Sequence, residues 1–153
     1  MMQRDWAVKW IVVGVLVLIA IATLGIFWTL RTSTQVQIGG EIVSARIANT
    51  TDSRIKGLSG TASLSEDEAM LFVFDTSDKW AIWMKDMNYS IDIVWLDDQK
   101  KVIDIAKQVS PDTYPQTFAP KTPAKYVLEL SAGFTDRHPV TIGTVTSFQG
   151  YGW

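Results

Sequence analysis

The sequence contains no cysteine and only one histidine, His138. Without cysteine there is neither a disulfide nor a thiol nucleophile. A zinc site needs clustered histidine and cysteine, and a catalytic triad would have to use His138, which is followed at once by Pro139. We therefore expect no metal site and no nucleophile-based catalysis.

Concentrated positive charge is also missing. Residues 36–153 contain eleven Lys and Arg against fifteen Asp and Glu, with no basic cluster. Binding to a phosphate backbone requires such a cluster, so nucleic acid is not an expected partner. No glycine-rich phosphate loop is present, and the acids of Glu66–Glu68 lack the alternating spacing of a calcium loop. We accordingly expect no cofactor.

Charge of either sign is absent from Ile11–Leu30, where thirteen of twenty residues are Leu, Ile, Val or Phe. A twenty-residue helix is about 30 Å long, which matches the hydrocarbon thickness of a bilayer. Trp6, Trp10 and Trp28 fall where indole rings prefer to lie, at the two membrane interfaces. The pattern predicts one transmembrane anchor helix over residues 10–30.

The basic residues Arg4 and Lys9 precede this run. The positive-inside rule then leaves residues 1–9 in the cytoplasm. A short linker, residues 31–35, would join the anchor to an extracytoplasmic domain, residues 36–153. The expected location is the cell membrane, with a single span.

A cleaved secretory signal is the main alternative to an anchor. The apolar part of a signal is typically about 7 to 15 residues long and ends at small residues, whereas this run is longer and ends in the bulky Phe27 and Trp28. A buried helix of a soluble core is a second alternative, but such helices are usually apolar along one stripe only. Retention as an anchor is the favoured interpretation.

Short apolar stretches rich in Val, Ile and Trp recur after residue 35, separated by Asp, Ser, Gly and Pro. This pattern predicts a mostly β domain, a single β-sandwich or jelly-roll-like unit with one or two short helices. A helix is expected to begin near Thr51 or Asp52, either of which can cap it, and to end at Gly57, and a helical turn is expected at Ser65–Glu68. The expected strands are Val36–Ala48, Met70–Phe74, Trp80–Met84, Ser90–Leu96, Val102–Gln108, Tyr126–Leu130 and Gly143–Phe148.

The best-defined unit is a hairpin around Asp97–Lys101. If its register pairs Val94 with Asp104, then Asp92 and Asp104 project from one face at about 7 to 8 Å between backbones. That separation suits acid and base chemistry on a glycoside. Simple exposure to solvent is the alternative interpretation of both acids.

A segment from Val109 to Lys125 contains four of the five prolines. It can be neither a helix nor a central strand. Long connections of this kind are either functional covers or mobile excursions, and both interpretations stay open.

Three further residues are candidates for a site. Trp83 and Lys85 share one face of a short predicted strand and could form a ligand platform, although a large aromatic residue more often serves packing. Glu129 interrupts the apolar stretch Tyr126–Leu130. A buried glutamate needs a partner, and Lys85 is a candidate.

These stretches resemble, in their order, the prokaryotic family known as domain of unknown function 192, or DUF192. The resemblance covers nearly all of the predicted outer domain and implies a compact, mostly β fold that often follows a signal or membrane anchor. It implies no reaction. The matching stretches are Ala48–Thr50, Arg54–Leu58, Ala69–Phe74, Trp83–Met87, Ile91–Ile93, Tyr126–Glu129 and Gly133.

Three hypotheses about function follow. The first is an envelope binding or accessory module whose ligand, a sugar or peptide, lies near Trp83, Lys85, Asp92 and Glu129, under the proline-rich segment. The second is an envelope hydrolase in which Asp92 works with Glu129 or Asp104. The third is a structural module that binds a protein partner on its exposed face.

Overall fold

The computed structural model describes residues 10–21 and 33–149, which belong to two compact units that divide between Ser33 and Thr34. The first unit contributes a helix, and the second is mostly β with few helices, as the sequence predicts. The elements in chain order are α1 (residues 10–21), β1 (Ser33–Ile38), β2 (Glu41–Ala48), α2 (Thr51–Lys56), β3 (Glu68–Asp78), β4 (Ile82–Trp83), β5 (Ile91–Leu96), β6 (Val102–Val109), a 3₁₀ turn (Pro111–Thr113), β7 (Thr117–Phe118), β8 (Ala124–Ser131) and α3 (Phe134–Arg137).

Helix α1 covers the first part of the predicted anchor. Its large apolar side chains are all exposed, from 49% for Val13 and Val15 to 67% for Leu18. Among the described residues, no helix combines the length and the apolar character needed to cross a membrane. The rest of the predicted anchor, residues 22–30, lies outside the described residues, as do the predicted flank and the linker up to residue 32.

The β domain is built on one six-stranded mixed sheet, in the order β1-β2-β3-β8-β5-β6. Strands β2 and β3 are parallel, and β8 lies centrally between β3 and β5, antiparallel to both. The segment 143–148 joins the two edges: Ser147 exchanges backbone hydrogen bonds with Gln37 of β1, and Thr144 accepts one from Val102 of β6. The sheet must therefore curl until its edges approach each other.

This curled sheet corrects the sandwich or jelly-roll-like prediction. In the described residues, the only other sheet is the two-stranded pair β4-β7. The physical reason is that both faces of the main sheet are already covered. One apolar cluster joins both edges and segment 143–148 through Val36, Val102 and Phe148, and so lies inside the curl. A second cluster, which includes Phe72 and Trp95, covers the outer face.

The β5-β6 hairpin forms where predicted, but its register is different. Val94 pairs with Ile105, and Asp104 lies opposite Trp95. The register shifts between Ile91 and Ile93 and again between Trp95 and Leu96. Each irregularity moves later side chains to the other face of the sheet. The expected alignment of Asp92 and Asp104 on one face is therefore wrong.

The predicted strand Val36–Ala48 is two strands. Gly39 and Gly40 connect β1 to β2, and both have positive φ, 59° and 88°. Glycine adopts this conformation without the steric penalty that a side chain brings, so two consecutive glycines allow a tight reversal. The last predicted strand, Gly143–Phe148, forms only isolated bridges.

Two other segments differ from expectation. Ser65–Glu68 is a turn that leads into β3, not a helical turn, and the carboxylate of Glu68 accepts a hydrogen bond from the backbone N–H of Ser65. The proline-rich segment 109–125 is partly ordered by the 3₁₀ turn and by β7. Because β7 pairs with β4, this segment supports the short strand that carries Trp83.

Helix α2 forms where predicted, but it is capped one residue earlier than expected, before Thr51. Thr50 is the N-cap: its hydroxyl accepts from the backbone N–H of Ser53, whose own hydroxyl accepts from the N–H of Thr50. Gly57 ends the helix with a φ of 47°, and a Cβ there would lie 3.2 Å from the ring of Phe72. The cap and the glycine together place α2 close above β3.

We expect Thr50→Ala to lower the free energy of unfolding by about 1 kcal/mol, because it leaves N–H groups of the first turn without a partner. Urea unfolding followed by circular dichroism measures the change. Thr50→Ser keeps the hydroxyl and should behave like the original protein. Equal losses in both variants would mean that the cap is not the cause.

Candidate functional site

A cavity of about 460 Å³ opens between α2, the sheet and the segment 80–87. We call it the α2 pocket. Its size lies in the usual range for small-molecule sites, about 300 to 1,000 Å³. Apolar side chains form most of its lining: Ile55, Leu58, Phe72, Phe74, Trp80, Ile82, Trp83 and Met87.

Two stacked aromatic rings form one wall of the pocket. The rings of Phe74 and Trp80 lie 4.1 Å apart and are nearly parallel, at 6°. The indole N–H of Trp80 donates to the carbonyl of Thr76, and the carbonyl of Trp80 accepts from the indole of Trp95. These bonds hold the wall in place, so the pocket does not depend on a ligand for its shape.

Glu129 is the acidic group of the pocket lining and comes from the middle of the sheet. It lies on the central strand β8, between Met70 of β3 and Ile93 of β5. Its side chain is 4% exposed, and its Oε2 is buried without a hydrogen-bond partner among the described residues. An unpaired carboxyl group at such a place costs stability, which makes Glu129 a candidate for ligand contact.

Burial determines the protonation of Glu129. Loss of hydration disfavours the charged form and raises its pKa from 4.5 to about 8, and the positive charge of Arg46 opposes part of this rise. Arg46 lies on β2 opposite Met70, two strands away from Glu129, and is exposed. At neutral pH Glu129 is therefore mainly a carboxylic acid that can donate a hydrogen bond.

Arg54 and Lys56 bring positive charge to the same pocket from α2. The Nη1 of Arg54 donates to the carbonyls of Asn49 and Val73, at 2.8 Å each, and its guanidinium carbon lies 5.2 Å from the ring centre of Phe74. These contacts fix Arg54 against β3. The pocket thus combines apolar walls, two cations and one buried acid.

Of the residues singled out from the sequence, the structure brings Trp83 and Glu129 to the pocket. Trp83 is 43% exposed. Lys85 does not line the cavity, and Arg46, not Lys85, is the cation that acts on the pKa of Glu129. The backbone carbonyl of Lys85 accepts from the hydroxyl of Ser59 at 2.7 Å, which ties segment 80–87 to the turn after α2.

Asp92 lies on the opposite face of the sheet. Along β5, Ile93 belongs to the outer cluster and Val94 to the inner cluster. Because side chains alternate along a strand, Asp92 lies on the inner side, like Val94. It is fully buried, and its carboxylate accepts four hydrogen bonds, from the backbone N–H groups of Gln108, Gly133 and Thr135 and from the hydroxyl of Thr135. This carboxylate holds the start of α3 and the end of β6.

The acids that the sequence pairs for hydrolysis do not converge. Asp104 lies on the outer face opposite Trp95, and its two oxygens accept from the backbone N–H groups of Ile105 and Lys121. Asp92 and Glu129 project from opposite faces of the sheet. The proline-rich segment contributes no residue to the pocket lining either, so it does not cover the site.

Comparison with known proteins places this fold in a family. The family model DUF192, described as "Uncharacterized ACR", matches residues 34–148. The chain belongs to the DUF192 family. The resemblance seen in the sequence is thereby confirmed, and the match covers the curled sheet, apart from its first residue Ser33, and the α2 pocket. Among curated proteins, none matches the chain.

Two crystal structures are similar to this DUF192 domain. One, from Sinorhizobium meliloti 1021, is provisionally described as a transcription regulator; it is 23% identical, with a TM-score of 0.71, over 76% of this chain and 93% of that one. The other, from Novosphingobium aromaticivorans DSM 12444, has no known function; it is 23% identical, with a TM-score of 0.69, over 75% of this chain and 83% of that one. At this identity the likeness concerns the fold alone.

The sequence did not single out most of the pocket of this DUF192 domain. Phe72 and Phe74 look like ordinary strand residues, and Arg54 and Lys56 look like the exposed cations of a short helix. They meet only because β3 runs beneath α2. The available signals were Trp83 and Glu129, the latter a single acid in an apolar strand.

Proposed function

We propose that this DUF192 protein is a membrane-anchored module that binds a small, largely apolar molecule in the α2 pocket. The observation that carries the proposal is the buried Oε2 of Glu129, which has no partner among the described residues and belongs to the lining of a preformed cavity. Apolar pockets with a few polar groups and a perturbed pKa are typical of binding sites.

Binding is favoured over hydrolysis by the placement of the acids. Glycoside hydrolysis requires two carboxyl groups on the two sides of one bond. Within the described ranges 10–21 and 33–149, Glu129 is the one acid in the pocket lining. The carboxylate oxygens of Asp92 are occupied by backbone and hydroxyl donors on the other side of the sheet.

The anchor remains part of the proposal. Its support is the uncharged run Ile11–Leu30 and the exposure of apolar side chains all round α1, a surface suited to lipid. With residues 1–9 in the cytoplasm, the pocket would serve the cell envelope.

Alkaline phosphatase fused after Trp153 should be active, and the fusion should stay in the membrane fraction after carbonate extraction. If a reporter fused at the same position is active only in the cytoplasm, the orientation is contradicted. If the fusion protein appears in the soluble fraction, the anchor is contradicted.

Binding to the α2 pocket predicts that Trp83→Ala weakens the affinity for a neutral apolar probe. We expect 2-naphthamide to bind the full-length protein and the variant to bind it at least fivefold more weakly, because one aromatic wall is lost. Isothermal titration calorimetry gives both affinities. Tyr114→Ala is the matched control, since Tyr114 is 46% exposed but lies outside the pocket. Equal affinity in the Trp83 variant would contradict the proposed site.

A further inference from the structure

The ionisable groups of the α2 pocket restrict what it can bind. Its lining contains three of them: Arg54 and Lys56 from α2, and Glu129 from β8. The lining residues from β3 and from segment 80–87 are apolar, and Arg46 on β2 adds a further positive charge near Glu129. A ligand with a positive charge would meet the two cations of α2 and lose hydration beside a Glu129 that is mainly uncharged at neutral pH.

The donors of the pocket agree with its charge. Both contacts of Nη1 of Arg54 are to backbone carbonyls, so the guanidinium is held rigidly and leaves its remaining N–H groups for other acceptors. Neutral Glu129 presents an O–H donor from the sheet. The pocket therefore offers hydrogen-bond donors at its polar points, and apolar surface between them.

Building on the proposed function, we propose that the ligand is an organic acid with an apolar body, whose carboxylate accepts hydrogen bonds within the α2 pocket. Its apolar part lies along the stacked rings of Phe74 and Trp80 and against Trp83. An aromatic acid and the acyl chain of a fatty acid share this chemistry. Glu129 gives the binding a pH dependence, because its ionised form would repel the carboxylate.

The test uses three naphthalene probes of one shape and different charge: 2-naphthoate, 2-naphthamide and 2-naphthylmethylammonium. Calorimetric titration of the full-length protein at pH 6.5 should give the highest affinity for naphthoate and at least tenfold lower affinity for the ammonium. Octanoate, measured alongside, distinguishes the two sources: tighter binding of octanoate indicates an acyl chain, and tighter binding of naphthoate an aromatic acid.

Variants separate the contributions of the charges. Lys56→Ala should weaken naphthoate several-fold more than it weakens naphthamide, because the amide loses only contact with the aliphatic part of the lysine. Lys121→Ala, an exposed lysine outside the pocket, should change neither affinity. From pH 6.5 to 9.5 the affinity for naphthoate should fall about tenfold in the original protein, mostly above pH 8. In Glu129→Gln the glutamine side chain can still donate a hydrogen bond but cannot ionise. The affinity of this variant for naphthoate should therefore not vary with pH.

The outcomes distinguish this inference from the function on which it rests. Preferential binding of the ammonium probe would overturn the ligand class and leave the pocket as a binding site. Equal binding of all three probes, with no response to pH, would overturn the role of the charges. Absence of binding by every probe and by octanoate would overturn both proposals.

Discussion

Replacing Glu129 with glutamine is expected to stabilise the folded protein above neutral pH and to remove most of the loss of stability between pH 4.5 and 8. The folded protein retains the proton of Glu129 up to about pH 8, while the unfolded chain releases it near pH 4.5. Over that interval the folded state binds one proton more than the unfolded state. Stability therefore falls as pH rises.

The size of the effect follows from the pKa difference. One pKa unit corresponds to about 1.4 kcal/mol, so the shift from 4.5 to about 8 corresponds to roughly 5 kcal/mol. The contribution of Glu129 is fully present below pH 4.5, is lost on the way to pH 8 and changes no further above it. Glutamine has no proton to lose, so the variant should equal the original protein near pH 4.5 and exceed it by several kcal/mol at pH 8.

Urea unfolding at intervals from pH 4.5 to 9 measures this difference. Glu68→Gln is the matched control, because Glu68 is exposed and an amide oxygen can still accept from Ser65; its stability should follow that of the original protein at every pH. Parallel curves for Glu129→Gln and the original protein would show that Glu129 titrates normally and is not a buried neutral acid.

Asp92→Asn is expected to destabilise the protein by about 3 to 5 kcal/mol. The carboxylate accepts four hydrogen bonds in a buried place, and bonds to a charged acceptor contribute about 1.5 to 3 kcal/mol each, not additively. The amide keeps one oxygen and turns a donor toward the N–H and O–H of Thr135. Several buried donors then lose their partner.

This change should leave the pocket intact in the molecules that fold. At a urea concentration far below the unfolding transition, the affinity of Asp92→Asn for 2-naphthamide should equal that of the original protein, because Asp92 lies on the other face of the sheet. Asp98→Asn, in the exposed hairpin turn, should change stability by less than about 0.5 kcal/mol. A folded Asp92 variant with a lost site, or a loss of stability under 1 kcal/mol, would contradict the structural role.

Local signals in the sequence were sufficient for α2 and for the apolar faces of β5. The cap and Gly57 act within one helix, so the helix is visible in the order of residues alone, although the sequence placed the cap at Thr51 or Asp52 and the structure places it at Thr50. The turn at Gly39 and Gly40 had the same kind of signal, two consecutive glycines, and was missed because the flanking apolar pattern looked continuous. The closure of the sheet by segment 143–148 depends on contacts across more than a hundred residues, such as Gln37 with Ser147.

The hairpin register shows where alternation alone misleads. The irregularity in the β5-β6 pairing between Trp95 and Leu96 moves Ile105 to the inner cluster and Asp104 to the outer face. Alternation assumes an uninterrupted ladder, so one extra residue reverses every later assignment. The loop Asp97–Lys101 contains no feature that reveals such a shift.

The same limit applies to the site. Asp92 and Glu129 look alike in the sequence, each a single acid in an apolar strand. They differ in what the rest of the chain brings to them: three backbone donors and a hydroxyl to Asp92, and an open cavity to Glu129. Those partners come from distant segments, so only the folded arrangement distinguishes a structural carboxylate from a candidate ligand contact.

Titration of Glu129 by carbon-13 NMR, with and without saturating 2-naphthoate, shows whether this residue is a buried neutral acid and whether a ligand binds beside it. The side-chain carboxyl resonance, assigned by its loss in Glu129→Gln, should titrate near pH 8 in the free protein. It should titrate at higher pH with the probe bound. Naphthoate binds better when Glu129 is protonated, so it stabilises the protonated form and raises the pKa of Glu129. A midpoint near 4.5 would mean that Glu129 is not a buried neutral acid, and a midpoint that does not move when the probe saturates the protein would mean that the ligand does not bind beside it.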